Sequence, residues 1–159
     1  MAVSKKDPGT TGAGPDRVRV SMTPVKATIN SDFSAGSEVQ QRILDLAERH
    51  GFTAQSLFAL KIAMEEALVN AIKHGNKLDP QKHVIIEAAI TPTEAEICIE
   101  DEGPGFDRSE VPDPLAEENL EKSSGRGILL IESYMSQVQW DRGGRRLRMI
   151  KKNNEDLST

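Results

Sequence analysis

Cysteine is nearly absent: Cys98 stands alone, so no disulfide can form within the chain. A single thiol fits a reducing compartment, and a cytoplasmic location is expected. Aromatic residues make up only 4%, so aliphatic side chains must build most of the core. No run approaches the ~20 apolar residues that span a bilayer. Residues 1–16 contain Lys5 and Lys6 but no apolar stretch of the signal-peptide kind. No membrane association is expected. Basic charge is not in excess either, with 20 Lys and Arg against 25 Asp and Glu and a net charge of -5. A nucleic-acid surface needs the opposite balance, so direct nucleic-acid binding is excluded. The cluster Arg145, Arg146 and Arg148 reads as a solvated strand end.

Several chemical signatures are missing as well. There is no Gly-x-x-x-x-Gly-Lys-Ser/Thr loop and no His-Arg-Asp with Asp-Phe-Gly set. No Cys/His cluster has zinc-ligand spacing. Both common phosphoryl-transfer classes are thereby excluded.

What is present fits one domain, with 159 residues of which 37% are apolar. Residues 1–16, rich in Gly, Pro, Thr and Lys, read as a disordered tail. Residues 17–152 read as the folded domain and 153–159 as a flexible tail. Within the domain, residues 17–30 suggest one or two short strands interrupted at Pro24. Ser34 or Ser37 is placed to cap a helix carrying Val39, Ile43, Leu44, Leu46 and Ala47, ended near His50 and Gly51. Thr53 opens a longer helix, about 53–74, stopped at Gly75. A hairpin is expected over 83–90 and 94–101, a long loop over 102–124, a helix over 125–135, and strands over 136–141 and 145–151. The long loop is unusual for a compact domain unless it has a function or is disordered.

The stretch from Met64 to Asn76 carries the first chemistry. At about 100° per residue, Leu57, Leu60, Met64, Leu68 and Ala71 fall on one side, with Glu66, Asn70 and Lys73 nearly opposite. A solvated polar stripe is the plain alternative. Against it, Ala63 and Ala67 flank the polar face and leave room for a bulky ligand, and Asn is a mediocre residue inside a helix. An Asn carbonyl suits Mg²⁺ as a hard oxygen ligand. A carboxylate one turn away suits proton transfer from an attacking hydroxyl.

The second feature is a strand that ends in a carboxylate. Ala95, Ile97, Ile99 and Asp101 share one face by the period of two, and Glu102-Gly103-Pro104-Gly105 follow. Asp101 is placed to accept a hydrogen bond from an exocyclic amine such as that of adenine. Gly103 and Gly105 let a base approach the backbone; a simple tight turn is the alternative. The third feature is Gly125-Arg126-Gly127 leading into Ile128 to Ile131. Free N–H groups at a helix start favour an anion, and glycines admit phosphate.

In order and spacing these pieces resemble the ATP-binding fold shared by gyrase-type ATPases and histidine kinase catalytic domains, the GHKL superfamily. Glu66 to Ala71 resembles its N-box, and Asp101 to Gly105 and Gly125 to Gly127 resemble its two glycine boxes. The resemblance covers about residues 25–151 and is greatest to the compact anti-sigma-factor serine/threonine kinases of partner-switching systems. It implies a two-layer α/β (α+β) sandwich, with helices on one face of a mixed, mainly antiparallel sheet. It implies ATP and Mg²⁺, with Glu66 as general base, Asn70 as metal ligand and Asp101 reading adenine beside Gly103 and Gly105. Lys73, Gly125, Arg126 and Gly127 complete the nucleotide site. The partners implied are a sigma factor and an anti-anti-sigma (STAS-type) protein that is phosphorylated, with the kinase acting as a homodimer. A non-catalytic ATP-dependent binding module of the same fold is the alternative. A detached histidine kinase catalytic domain fits less well, since no dimerisation helix precedes the domain. One departure stands out: relatives often carry a threonine after the glycine near the last strand, whereas Gly143-Gly144 here precede Arg145-Arg146.

Overall fold

A computed structural model describes residues 22–105 and 123–153; at residues 123–126 it describes the backbone alone. The 1–16 tail, Val18 and Val20, residues 154–159 and most of the 102–124 loop lie outside the described residues. The elements run β1 (Thr23–Asn30), α1 (Phe33–Arg49), α2 (Ala54–Val69), a π-helical segment (Asn70–Gly75), β2 (His83–Ile90) and β3 (Glu94–Glu100). They continue with α3 (Ser123–Tyr134), β4 (Gln137–Asp141), a 3₁₀ turn (Arg142–Gly144) and β5 (Arg146–Lys152). The five strands form one sheet in the order β1-β2-β3-β5-β4. All four ladders among the described residues are antiparallel, so the parallel component of the expected mixed sheet is not found there.

Alternation along the strands builds the core. Val84, Ile86, Ala88 and Ile90 on β2, Ala95, Ile97 and Ile99 on β3, and Leu147 and Met149 on β5 are buried on the helix side. From the helices come Val39, Ile43 and Ala47, then Leu60, Met64 and Leu68, then Ile131. Each fully buried aliphatic side chain contributes about 1.5–3 kcal/mol, so a core without many rings is sufficient. Among the described residues the opposite face of the sheet carries no helix, and it is laced by cross-strand ion pairs. Arg148 reaches Glu96 at 2.5 Å, Arg146 reaches Asp141 at 3.2 Å and Lys26 reaches Glu87 at 3.7 Å. Cys98 is buried within this face, and Arg146 donates to its sulfur at 3.4 Å.

Local chemistry departs from the sequence reading at a few points. Pro24 does not interrupt the first strand; it is the second residue of β1, an edge strand among the described residues, where a missing N–H costs little. The cap of α1 is Asp32 rather than Ser34 or Ser37, its two carboxylate oxygens accepting from the N–H groups of Ser34 and Ala35 at 3.3 Å. Thr53 caps α2 as expected, accepting from the Ser56 N–H at 3.1 Å. Asn153, assigned to the tail by sequence, is tied down: its amide accepts from the Thr53 N–H and donates to the carbonyls of Gly51 and Pro92.

Helix α2 is the central element. Ala63 and Ala67 are buried at 0% and 2% exposure, against the expectation that they open space for a ligand. Helices α1 and α3 both pack against α2, and small residues let neighbouring helices approach closely. Beside Glu66 the backbone of α3 comes close at Gly127, where a Cβ would stand 2.8 Å from Glu66 Oε1.

Candidate functional site

The α-helical ladder of α2 ends at Val69, and Asn70–Gly75 continue it as a π segment. The backbone N–H of Asn76 reaches back five residues to the carbonyl of Ala71 at 2.9 Å. Such widened turns are rare and frequent at functional sites. What holds this one is the side chain of Asn76, which is fully buried. Its amide nitrogen donates to Ser31 Oγ at 3.0 Å and to the His83 carbonyl at 2.9 Å. Its oxygen accepts from the Glu102 N–H at 2.8 Å. One side chain therefore ties the helix end to β1, to β2 and to the turn after β3. In the sequence Asn76 carries one signal, a polar residue just past a helix-ending glycine.

Asp101 lies at the far end of the π segment, where the alternation of β3 points it toward the helices. Its carboxylate fits against the Cα of Gly75, where a Cβ would sit only 2.5 Å from the carboxyl carbon. A Cβ on Gly103 would collide with the carbonyl of Gly75, and one on Gly105 with the carbonyl of Gly143. Gly105 also has φ of +81°, which L side chains rarely adopt. Asp101 Oδ1 accepts from the Gly103 N–H at 2.8 Å, and no other hydrogen bond among the described residues engages the carboxylate. Burial pushes its pKa up, opposed by the Gly103 N–H and by the nearby charge of Arg145. Gly75, read from sequence as a helix stop, thus shapes this pocket.

At the near end of the π segment, Glu66 and Asn70 share a face one turn apart and meet α3. A Cβ on Gly127 would stand 2.8 Å from Glu66 Oε1 and 3.6 Å from Asn70 Oδ1. Gly125, Arg126 and Gly127 lie inside the first turns of α3, which begins at Ser123, two residues before the expected start. Glycine inside a helix costs about 1 kcal/mol relative to alanine, and at Gly127 the close approach of Glu66 gives the physical reason. Burial, reinforced by the charge of Glu65, raises the pKa of Glu66. The Asn70 amide nitrogen is buried without a hydrogen-bond partner.

The structure therefore gathers the expected residues into two groups. Glu66, Asn70 and Gly127 form one, and Asp101, Gly103 and Gly105, with Gly75 added, form the other. Lys73 is exposed between them on the π segment and joins neither. The side chain of Arg126 lies outside the described residues. No group of three His, Cys, Asp or Glu able to hold a metal occurs among the described residues. No helix among them is long and apolar enough to cross a membrane.

The residues fit a magnesium nucleotide on two counts. The Asn70 amide is uncommitted, so its oxygen is free to turn toward a cation. The glycine-lined carboxylate of Asp101 leaves an acceptor oxygen beside bare backbone.

Comparison with known proteins bears on both groups. An anti-sigma F factor of Clostridium perfringens is 39% identical over 90 residues, covering 55% of this chain and 64% of that protein. One from Oceanobacillus iheyensis is 38% identical over 90 residues, covering 55% and 61%. The serine-protein kinase RsbW of Listeria monocytogenes is 31% identical over 100 residues, covering 59% and 64%. The chain thus spans a little under two thirds of the length of these relatives. Among solved structures, the RsbU and RsbW domains of a Mycobacterium tuberculosis protein match with a TM-score of 0.56 at 14% identity, covering 82% of this chain and 31% of that one. That likeness carries the fold, a two-layer α+β sandwich. The family model for the histidine kinase-like ATPase domain matches residues 29–151, which hold both groups of the site. The chain belongs to the histidine kinase-like ATPase domain family.

Proposed function

We propose that this chain is a cytoplasmic, Mg²⁺-dependent serine/threonine protein kinase and anti-sigma factor. In this reading it binds a sigma factor, acts as a homodimer, and phosphorylates an anti-anti-sigma protein of the STAS type. The observation that carries the reading is the meeting of Glu66, Asn70 and Gly127. A bare backbone position on one helix faces a carboxylate and an uncommitted amide on another. A phosphate held at the start of α3 would thereby lie close to a base. The names of the relatives, anti-sigma F factor and serine-protein kinase, supply the partner class.

Asp101 accepts a hydrogen bond from the adenine amino group, with Gly75, Gly103 and Gly105 keeping the backbone clear of the base. Asn70 would hold the metal ion, which neutralises charge on the phosphates. Glu66 accepts the proton of the attacking serine or threonine hydroxyl. The new oxygen–phosphorus bond forms as the bond to ADP breaks, and positioning with charge stabilisation does most of the work. The raised pKa of Glu66 brings it closer to the operating pH, where a general base is most effective.

The test is incubation with γ-labelled ATP, Mg²⁺ and the STAS-type protein encoded nearby. Label on a serine or threonine of that protein is expected. ATP-dependent complex formation without label would instead establish a binding module.

A further inference from the structure

The basic cluster Arg142, Arg145, Arg146 and Arg148 is not uniform. Arg142 donates to Glu100 at 2.7 Å, Arg146 to Asp141 at 3.2 Å and Arg148 to Glu96 at 2.5 Å. Arg145 has no carboxylate partner within ion-pair distance among the described residues. It is instead built against the Asp101 turn in three ways. Its carbonyl accepts the Asp101 N–H at 3.0 Å. Its aliphatic stem covers Gly105, where a Cβ would lie 3.3 Å from Arg145 Cγ. Its Nε–H donates to the Arg142 carbonyl at 3.2 Å, which roots the side chain over a turn with positive φ at Arg142, Gly143 and Gly144.

We propose that Arg145 is a positioning residue of the base end: its carbonyl and stem back the Asp101 turn, and its charge, beyond ion-pair distance, helps keep Asp101 a hydrogen-bond acceptor for the nucleotide base. The base-recognition part rests on the function proposed above. A half-buried carboxylate recognises an amine only while it is ionised, and desolvation works against that. The groups that oppose or aid desolvation are few. The Gly103 N–H, Arg145 from the start of β5 and Lys82 from the approach to β2 favour the charged form, and Glu100 at the end of β3 disfavours it. Glu102 is turned away, accepting the His83 N–H at 2.7 Å. Arg145 is the one cation among these that also contacts the turn, so it couples the charge of the site to its shape. An uncharged residue here would leave the carboxylate with its N–H donor and Lys82 alone.

The test uses the whole chain without nucleotide first. Carboxyl-carbon NMR titration of Asp101 is compared in wild type, Arg145→Ala and Arg145→Lys, with Asp101→Asn to assign the resonance. The Asp101 midpoint is expected to rise by about 0.5 unit or more in Arg145→Ala and to stay near wild type in Arg145→Lys. An unchanged midpoint in Arg145→Ala overturns the proposal. Arg145 is exposed, and thermal scans check that each variant folds. ATP binding is then measured from about pH 5 to pH 8. Arg145→Ala is expected to match wild type on the alkaline side and to fall about threefold or more below it on the acid side. If the midpoint moves while Asp101→Asn binds ATP as wild type does, the charge role stands and the base-recognition reading fails. Parallel pH profiles for Arg145→Ala and wild type, with a working Asp101 site, overturn the charge role.

Discussion

At the Asp101 end of the π segment nearly every polar group is paired within the fold, whereas at the Asn70 end the key amide is not. Asn76 fills its hydrogen bonds with Ser31, His83 and Glu102, and Asp101 is held by Gly103 and Arg145. Asn70 keeps a buried nitrogen without a partner, and Glu66 faces a bare Gly127. A buried polar group left unpaired costs about 1–3 kcal/mol, and a ligand can return that on binding. The base end is thus prepared by the chain itself, while the phosphate end is left to be completed by what it binds.

The sharpest way to test that division is Glu66→Gln. The substitution keeps the size and removes the basic carboxylate, so transfer to the partner protein is expected to fall by about 10²–10⁴ with ATP binding retained. Transfer at the wild-type rate would remove Glu66 from the chemistry.

Both ends should show in affinity next. Asn70→Ala is expected to weaken Mg·ATP binding by about tenfold or more, with little effect on metal-free ATP. Asp101→Asn should lose about tenfold with or without metal, since one charged hydrogen bond of about 1.5–3 kcal/mol is removed. Calorimetry with and without Mg²⁺ separates the two. Equal metal dependence in both variants would erase the distinction between the ends.

Asn76→Ala probes the prepared end alone. It leaves the Glu102 N–H and the His83 carbonyl without their partner, at about 1–3 kcal/mol for each group that water cannot reach. Denaturant unfolding should show that loss, and ATP affinity should fall with it because the Asp101 turn loses its anchor. A stable variant with normal affinity would mean that the π segment holds its shape without this amide.

The smallest expected effect is on the nucleotide-free fold. Burial raises the pKa of Asp101, and burial with Glu65 raises that of Glu66. A carboxyl group whose folded pKa is raised contributes stability that is present below its unfolded value and lost as pH rises through the folded value. That window starts at the ordinary values of 3.8 for Asp101 and 4.5 for Glu66 and runs upward. At neutral pH both carboxylates therefore oppose folding. Asp101→Asn and Glu66→Gln should each raise the melting temperature without nucleotide by roughly 1–4 °C. The gain should vanish in acid. A drop at neutral pH would show that Asp101 or Glu66 stabilises the fold rather than straining it.

Much of this was legible in the chain order. The period of two placed Asp101 on the helix side of β3, and the period near 3.6 put Glu66 and Asn70 on one face, because both rest on local backbone geometry. Thr53, Gly51 and the Thr91-Pro92-Thr93 turn marked element ends by chemistry that acts over a few residues. The same rules misread Ala63 and Ala67, since the periodicity of one helix does not tell how many neighbours will cover it. Gly127 could be assigned to a phosphate loop from sequence, but not to the wall beside Glu66, which lies 61 positions earlier.

Read alone, the chain marked most of the elements and the carboxylates, amide and glycines proposed for the site. The tertiary structure decided which of them meet. Gly75 against Asp101, Asn76 between three separate segments, and Arg145 apart from its paired neighbours Arg146 and Arg148 are contacts across the sheet and between layers. They depend on strand order and on where α2 turns into a π segment, and no local pattern of residues encodes either.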